Sequence, residues 1–378
     1  MKTIQIGILG FGVVGTGVVK LLKENQLILQ QRTGAVLELK AIADIDTQKD
    51  RGVNLGSTAL LSDANQIIDD PDIDIVIETI GGETIAGDFI LKALERGKHV
   101  VTANKALLAS KGNELVKAAK KNQVDLAFEA SCGGCIPIIK SIRESLVANR
   151  ITSMSAVLNG TCNYILTKIS EEGSEFDDVL KDAQDLGYAE AEPSLDIDGF
   201  DTAHKLAILN SLAFGMDINL KDIHVEGIRH ISLQDIEFAR EFGYVIKLLA
   251  IGKAHGEHVE ARVHPTMIPL SDPLAHVNGV INAVVIDADA TGRTMLYGRG
   301  AGMMPTGSAV LSDVVDIARN IISGTTARIP VLGCVEEHIQ PVPVLPMSDL
   351  YTRYYLKFEA QDNYGVLAKI SGILGEEN

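Results

Sequence analysis

A glycine-rich turn near the N-terminus constrains the fold of this chain more than any other feature. An apolar segment, residues 3–9, reads as a buried strand, and residues 13–31 read as a helix. Between them lies the G-x-G-x-x-G fingerprint of a dinucleotide-binding βαβ unit. Its first glycine makes a tight turn, its second lets a pyrophosphate approach the backbone, and its third lets helix and strand pack closely. We therefore predict a cofactor site at Gly10, Phe11, Gly12, Val13, Val14 and Gly15. The alternative is a turn that serves packing alone.

An acidic residue, Asp44, completes this unit at the tip of the next predicted strand, residues 37–43. An acid in this position can bind the hydroxyl groups of the adenine ribose, which favours NAD. Lys49 and Arg51 follow closely and could accept a 2′-phosphate instead. The sequence therefore predicts a nicotinamide dinucleotide and leaves NAD and NADP open.

The alternation of strands and helices continues to about residue 130. Strands are predicted at 73–80, 99–103 and 124–130, with helices at 85–96 and 106–122. This pattern predicts an α/β fold with a Rossmann-type, doubly wound parallel sheet. Ligands of such sheets lie at the carboxyl ends of the strands. Thr79, Ala103 and Lys105 occupy those ends, so topology alone predicts them at the cofactor. A solvated loop lysine is the alternative for Lys105.

An acidic loop leads into a second lysine, Lys205, and we expect a helix over 200–214 with Asp198 as its N-cap and Gly215 as its stop. The loop and helix carry five carboxylates ahead of that lysine: Glu190, Glu192, Asp196, Asp198 and Asp201. Helical spacing places Lys205 on one stripe with Asp201 and apolar residues. Burial lowers a lysine pKa and a neighbouring carboxylate raises it, so this ammonium could protonate a developing alkoxide. The alternative is a salt bridge at the start of a core helix.

The second half of the chain lacks the βαβ alternation. Strands are expected at 151–158, 245–254, 259–263 and 283–288. Residues 159–164 are expected to form a small polar turn that opens a helix, and further helices are expected at 176–186 and 306–322. This mixture predicts an α+β substrate and dimerisation domain. We expect residues 297–302 to form a second glycine-rich turn, helix 306–322 to pack back near the nucleotide domain, and residues 341–346 to form a linker.

Two other features suggest chemistry but are interpreted as structural. Cys132-Gly133-Gly134-Cys135 has C-x-x-C spacing, yet it follows a strand of a nucleotide fold, so its glycines indicate close backbone approach. The histidines include no H-E-x-x-H motif and no ligand cluster, so we expect no catalytic transition metal. His204 points off the lysine face.

Charge and composition exclude several classes of partner and compartment. A net charge of -16 argues against nucleic acid or an anionic membrane as the main partner. Four cysteines in 378 residues do not make a disulfide framework, which indicates a reducing compartment. No apolar run reaches transmembrane length, and glycines interrupt the apolar N-terminus, unlike a signal peptide. We therefore expect a cytoplasmic protein that acts on a small molecule.

Taken together, these motifs resemble the homoserine dehydrogenase family over nearly the whole chain. The matching stretches are G-F-G-V-V-G-T-G at 10–17, T-A-N-K-A-L-L-A at 102–109, F-E-A-S-C-G-G-C-I-P-I at 128–138, L-N-G-T-C-N-Y-I-L at 158–166, the acidic loop to Lys205, and G-R-G-A-G-M-M-P-T-G-S-A-V at 298–310. The resemblance implies NAD(P)-dependent interconversion of L-aspartate 4-semialdehyde and L-homoserine, on the route to threonine and methionine. It also implies a homodimer.

The resemblance assigns roles to individual residues. Lys205 matches the family's proton donor, Lys105 its second catalytic lysine, and Glu190 the acid that holds the substrate ammonium. Asp196 and Asp201 match supporting acids. The cofactor contacts that it implies are Phe11, Gly12, Val13, Thr79, Ala103 and Gly302. It further implies a sodium ion held by Glu129, Cys132, Gly134 and Ile136.

The last stretch looks like the opening of an ACT domain, from Tyr354 to Phe358 and from Asp362 to Ala368. The sequence ends at Asn378, before that fold could be complete, so we expect a truncated fragment and leave threonine feedback through the ACT domain open. The predicted division is a dinucleotide domain at 1–135, a catalytic and dimerisation domain at 136–303, a linker at 323–348 and the ACT start at 349–378. The rival hypotheses are another reductase of an amino-acid aldehyde and a dinucleotide-binding regulator without turnover.

Overall fold

A parallel sheet carries the glycine-rich turn. The computed structural model describes residues 1–361 and 363–376, and within them this sheet has six strands. These are β1 (Lys2–Leu9), β2 (Ala35–Ala43), β3 (Ala59–Leu61), β4 (Ile75–Glu78), β5 (His99–Thr102) and β6 (Leu126–Ala127). Their order is β3-β2-β1-β4-β5-β6, with all neighbours parallel. The chain winds outward from β1 in both directions, which confirms the predicted α/β, Rossmann-type sheet.

Helices cover both faces of this sheet. They are α1 (Val13–Glu24), α2 (Gln26–Thr33), α3 (Asn65–Ile68), α4 (Ile85–Glu95) and α5 (Lys105–Lys121). The prediction of one helix over 13–31 is wrong, because Asn25 leaves the helical region with φ -109° and ψ 18° and a second helix starts after it. Asparagine has low helix propensity, and its side chain competes for backbone groups. The predicted strand 124–130 is also too long, since Glu129–Ser131 forms a 3-10 turn.

The second sheet is mixed. In the described residues it has six strands: β7 (Ile151–Val157), β8 (His224–Val225), β9 (Tyr244–His255), β10 (His258–Pro269), β11 (Ile281–Ala288) and β12 (Gly292–Arg299). The order is β12-β11-β7-β9-β10-β8, antiparallel except for β8 and β10. Tyr297 to Arg299 therefore belong to a strand, and the predicted glycine-rich turn begins only at Gly300. The α+β character of this half agrees with the prediction.

Seven further helices accompany this sheet within the described part of the first unit. They are α6 (Ile138–Lys140), α7 (Gly160–Glu172), α8 (Phe176–Asp185), α9 (Ser194–Ile197), α10 (Phe200–Phe214), α11 (Leu233–Glu241) and α12 (Met303–Ser323). The predicted bounds of α10 are correct, and Gly215 ends it in the left-handed conformation with φ 64°. Its apolar side buries Ile208, Leu209 and Leu212 in the main core.

Helix α12 returns to the first sheet and packs against α1. A Cβ added to Gly17 would lie 2.1 Å from the Met303 carbonyl oxygen, so only glycine permits this approach. Val310 and Val314 of α12 share an apolar cluster with Ile6 and Ile8 of β1. The first and last helices of the larger unit therefore lie in one layer.

The chain divides into two units, Met1–Met347 and Ser348–Asn378. The proline-rich residues 341–346 lie in the first, where the Val259 amide donates to the Pro343 carbonyl at 3.0 Å. They are thus partly paired with the sheet edge, unlike a free linker. The second unit contains α13 (Val366–Glu376) and has no strand among its described residues; Asp362, part of the predicted ACT opening, lies outside those residues. No helix of the described chain is long and apolar enough to cross a membrane.

Candidate active site

A cavity of about 620 Å³ opens where the two sheets of the larger unit meet. The first sheet contributes Val13, Val14, Ala103 and Lys105, and the second half contributes the acidic loop and α10. The predicted substrate and catalytic residues that line it are Lys105, Glu190, Asp196, Asp201 and Lys205. The structure therefore brings Lys105, from the first half of the chain, together with the predicted residues of the acidic loop and α10.

Asp201 lies at the centre of this group and contacts both lysines. Its Oδ2 accepts a hydrogen bond from Lys205 Nζ at 2.6 Å, one helical turn along α10. Its Oδ1 lies 3.2 Å from Lys105 Nζ, at the start of α5. The Asp201 side chain is buried, and about a third of the Lys105 side chain is exposed, which points to the open side of the cavity.

These contacts fix the charge state of the site. Burial would raise the pKa of Asp201, but the ammonium groups of Lys205 and Lys105 outweigh it and hold that pKa well below its usual range. Burial would lower the pKa of Lys105, but the Asp201 carboxylate outweighs it and the pKa rises above its ordinary value. The predicted structural role of the Lys205 pair is thus compatible with a proton-donating one, since a charged ammonium faces the cavity.

An asparagine that sequence reasoning did not select, Asn159, organises the acids. Its Nδ2 donates to Asp196 at 2.7 Å and to Asp201 at 2.9 Å, while its Oδ1 caps α7 by accepting from the Cys162 amide. The preceding carbonyl, of Leu158, accepts from Lys205 Nζ at 2.7 Å. The sequence signal was the small polar turn that opens a helix, which predicts a cap but not its second partners.

The five carboxylates of the loop do not act together. In the cavity, Asp201 is buried, Asp196 is half-buried and Glu190 is exposed. Asp198 instead binds Arg229 through two bonds of 2.9 Å, and Glu192 bonds to Ser194. The prediction of Asp198 as N-cap is wrong: the cap is Gly199, with φ 88°, and no side chain caps the helix. The ion pair with Arg229 takes the Asp198 carboxylate away from the helix end.

The three glycines of the glycine-rich turn differ in their surroundings as their spacing predicts: two are crowded by backbone and the middle one is open. A Cβ on Gly10 would lie 2.7 Å from the Thr79 backbone, and one on Gly15 would lie 2.3 Å from the Gly10 carbonyl oxygen. A Cβ on Gly12 would meet nothing within 4 Å, so the backbone is open there. Thr79 Oγ1 donates to the Gly10 carbonyl at 2.8 Å and secures the turn. Gly302 lines the cavity on its opposite side.

Asp44 lies at the far end of this turn and is already engaged. Its carboxylate accepts from the Phe11 amide at 2.6 Å and pairs with Arg51 at 3.0 Å. The Arg51 guanidinium lies 4.8 Å from the centre of the buried Phe11 ring. An acid for ribose hydroxyls and a cation for a 2′-phosphate are thus side by side, and neither cofactor is favoured over the other.

Of the four residues predicted to hold sodium, one lines the cavity and three are buried. Glu129 is buried, and its two carboxylate oxygens accept from the amides of Ile139 at 2.9 Å and Lys140 at 2.8 Å. Burial, and next the Asp313 charge, raise the pKa of Glu129 to about 7. Gly134 lines the cavity, whereas Cys132 and Ile136 are buried. No cluster of three or more His, Cys, Asp or Glu side chains able to hold a metal occurs in residues 1–361 and 363–376.

The C-x-x-C pair differs in its two members. Cys132 is buried, and burial raises the pKa of its thiol to about 12, whereas Cys135 is exposed. A thiolate is the reactive form, so a thiol held protonated is chemically inert.

Comparison with known proteins decides the family. A model described as the NAD binding domain of homoserine dehydrogenase matches residues 10–129, and one described as homoserine dehydrogenase matches residues 137–315. A homoserine dehydrogenase from Neisseria gonorrhoeae is 45% identical over 378 residues, covering 100% of this chain and 87% of the relative. This chain belongs to the homoserine dehydrogenase family.

Solved structures of that family agree with the fold. The crystal structure of a homoserine dehydrogenase from Thiobacillus denitrificans matches with a TM-score of 0.93 and 41% identity, covering 100% of this chain and 87% of that one. A hyperthermophilic archaeal homoserine dehydrogenase in complex with NADPH matches with a TM-score of 0.70 and 26% identity, over 86% of this chain and 100% of that one. The family makes this chain an NAD(P)-dependent oxidoreductase.

Replacement of the central carboxylate tests the electrostatics of the site. Asp201→Asn removes the charge that raises the Lys105 pKa, so Lys105 loses its proton at lower pH. We expect the alkaline limb of the kcat/KM profile for aldehyde reduction to move down by about one pH unit or more. Asp198→Asn is the matched control, because that carboxylate pairs with Arg229 instead of the two lysines. Identical profiles for the two variants would contradict the assignment.

Proposed function

We propose that Lys205, Lys105 and Asp201 catalyse the interconversion of L-aspartate 4-semialdehyde and L-homoserine by this NAD(P)-dependent enzyme, a step towards threonine and methionine. One observation supports the proposal most strongly. The ammonium groups of Lys105, at the start of α5, and Lys205, in α10, both contact the buried carboxylate of Asp201 at one cavity. A regulator without turnover would have no use for two cations, one buried and one partly exposed, beside an open pocket.

The chemistry follows from where charge develops. NAD(P)H, when bound, supplies a hydride to the aldehyde carbon, and the carbonyl oxygen then gains negative charge. Lys205 would give its proton to that oxygen, and Lys105 would stabilise the charge from the other side. Asp201 raises the pKa of Lys105, pairs with the Lys205 amine beforehand and balances the remaining charge after transfer. In the oxidation of homoserine, the same Lys205 amine accepts the hydroxyl proton.

The acids of the cavity suit a zwitterionic amino acid. Glu190 is exposed at the cavity wall, and the half-buried Asp196 accepts a hydrogen bond from Asn159. We propose that Glu190 holds the substrate ammonium, with Asp196 in support. Both carboxylates approach from the second half of the chain, so the amino end of the substrate would lie there and its aldehyde between the two lysines.

The glycine-rich turn would hold the cofactor. Its pyrophosphate fits the open backbone at Gly12 and the N-terminus of α1. Gly10, Val13, Val14 and Gly15 shape this end, Asp44 lies at the ribose, and Thr79, Ala103, Lys105 and Gly302 lie towards the nicotinamide. We propose that residues 1–135 with α12 form the cofactor domain and residues 136–303 the catalytic domain.

We further propose that Glu129 and the backbone carbonyls of Cys132, Gly134 and Ile136 bind a sodium ion. Sodium prefers hard oxygen donors, and this set offers only oxygens. The buried Glu129 carboxylate forms no salt bridge with a lysine or arginine of the described residues, and burial together with the Asp313 charge raises its pKa to about 7. A monovalent cation would compensate it and fix the turn beside the cavity.

A homodimer through the second sheet is also proposed. Strand register places Val157, Val285 and Met295 on one face with Ile251 and Tyr297. This face carries a small apolar cluster, and Tyr297 is 74% exposed. Exposed aromatic residues beside apolar surface are typical of protein interfaces.

Removal of the proposed proton donor should stop turnover and spare binding. We expect Lys205→Ala to lower kcat for homoserine oxidation by about 10²–10⁴-fold, with the dissociation constant for NADH changed less than about twofold. The protein should still fold, because Lys105 continues to neutralise Asp201. Lys221→Ala, at an exposed lysine, serves as control. Wild-type oxidation by Lys205→Ala would disprove the role.

Sodium binding should appear in thermal stability. Glu129 favours the folded state fully below its ordinary pKa of 4.5 and loses that contribution as pH rises through about 7. Sodium needs the carboxylate, so NaCl should raise Tm above an equal concentration of choline chloride more at pH 8 than at pH 5. Glu129→Gln should lose this sodium effect; its persistence in that variant would exclude Glu129 as a ligand.

The dimer is tested by mass in solution. Sedimentation equilibrium should give twice the chain mass of 40.5 kDa. Tyr297→Asp places a charge on the proposed interface and should shift the mass towards that of a single chain. Tyr351→Asp changes a tyrosine of the second unit that is also highly exposed and should not shift the mass. A single-chain mass for the wild type would refute the dimer.

A further inference from the structure

A buried carboxylate, that of Glu78, lies beneath the cofactor edge of the first sheet. It is the last residue of β4 and is 0% exposed. Its Oε1 accepts from the amides of Ile80 at 2.8 Å and Gly81 at 2.9 Å, and its Oε2 accepts from Thr102 Oγ1 at 2.6 Å. Thr102 Oγ1 itself accepts from the Asn104 amide, so the hydroxyl proton is directed at Glu78. All three partners donate, which is the environment of an ionised carboxylate.

This charge has no cationic partner. No lysine or arginine in the described part of the chain forms a salt bridge with Glu78, and burial raises its pKa while the bonds from Thr102, Gly81 and Ile80 oppose that rise. An unpaired carboxylate in the interior is costly, and an apolar side chain at a strand end would not carry that cost. Fold stability alone therefore does not explain a glutamate at this position. We look for its role in the backbone amides and the hydroxyl group that it binds.

Glu78 holds two loops that end at the proposed cofactor contacts. In the first, Gly81 and Gly82 have φ of 82° and 76°, and a Cβ on either would meet nothing within 4 Å. Their left-handed conformation, rather than lack of space, requires glycine, and it turns the Ile80 and Gly81 amides onto the carboxylate. The same loop begins with Thr79, which bonds to the Gly10 carbonyl.

The second loop carries the catalytic lysine of the first sheet. Asn104 Nδ2 donates to the Gly82 carbonyl at 2.6 Å, and Asn104 Oδ1 caps α5 by accepting from the Leu107 amide at 3.1 Å. Lys105 is the first residue of α5. A chain of bonds thus runs from Glu78 through Thr102 and Asn104 to the helix end that aims Lys105 at the cavity.

We propose that Glu78 is a positioning residue: through Thr102 and the 79–82 turn, it holds Lys105 and the cofactor-facing loops in the geometry that receives the nicotinamide. Glu78 touches neither substrate nor cofactor in this role. The inference rests on the proposed function, in which Lys105 lies at the nicotinamide.

The test uses near-isosteric changes in the full-length protein. Thr102→Val removes the hydroxyl that joins Glu78 to Asn104, whereas Thr102→Ser keeps it. Because Thr102→Val breaks the link from Glu78 to the cofactor-facing loops, fluorescence titration with NADH and with NADPH should show roughly tenfold weaker binding for this variant. kcat for homoserine oxidation should fall with it. Thr102→Ser should stay near the wild type, and Glu78→Gln should weaken binding in the same direction as Thr102→Val.

A matched control separates positioning from stability. Lys98 is another buried charged residue of the same sheet, just before β5, and its Nζ donates to the carbonyls of Asp70 at 2.5 Å and Ile73 at 2.7 Å. It lies at the opposite end of the strand from Thr102. Lys98→Met should lower Tm as much as Thr102→Val and leave cofactor dissociation constants and kcat unchanged.

Distinct results would overturn the two ideas. If Thr102→Val and Glu78→Gln lose thermal stability but bind NADH and NADPH like the wild type, the positioning role is wrong. Equal weakening by Lys98→Met would also refute it, because the effect would then be one of general stability. A wild-type protein that binds cofactor but does not oxidise homoserine would overturn the proposed function instead, whatever the binding of the variants. Thr102→Val decides the matter even if Glu78→Gln does not fold.

Discussion

The bond network of one carboxylate, Asp201, is the constraint on which the site depends. It fixes Lys205 along its own helix and Lys105 across the cleft, so a single residue ties the two sheets together at the reacting centre. Two amines brought this close would repel each other without it. Asn159 then holds Asp201 and Asp196 apart at defined positions. The proposed sites for the oxyanion and for the substrate ammonium therefore share one polar framework.

Local pattern was enough to predict the fold and part of the site. The spacing of the glycines from Gly10 to Gly15 predicts the strand before the turn and the helix after it. It also predicts where glycine is needed, because a Cβ at Gly10 or Gly15 would clash with nearby backbone atoms. Lys205 and Asp201 are likewise one helical turn apart, so their contact follows from helix geometry. The position of Lys105 was predicted from the alternation of strands and helices, because that alternation indicates a parallel sheet with its ligand at the carboxyl ends of the strands.

The parts that sequence did not predict all depend on contacts between distant segments. Asn159 reads as a helix cap, and nothing local shows that its amide also reaches two acids about forty residues away. Asp198 reads as a cap as well, but Arg229, on another loop, binds it instead. Glu78 looks like the polar end of an apolar strand; its meaning depends on Thr102 of the neighbouring strand. Where a side chain has several possible partners, tertiary packing decides which one it contacts, and a short stretch of sequence does not reveal that packing.

The return of α12 to α1 has a mechanical consequence. The polypeptide crosses from the first sheet to the second and back again, and the close approach of Met303 to Gly17 anchors the second crossing. A body attached at two points cannot twist freely about either one; it can only rock about the line that joins them. The two halves of the larger unit are therefore joined at two places, which limits twisting of one half against the other and keeps Lys105 and Lys205 on facing walls of one cavity.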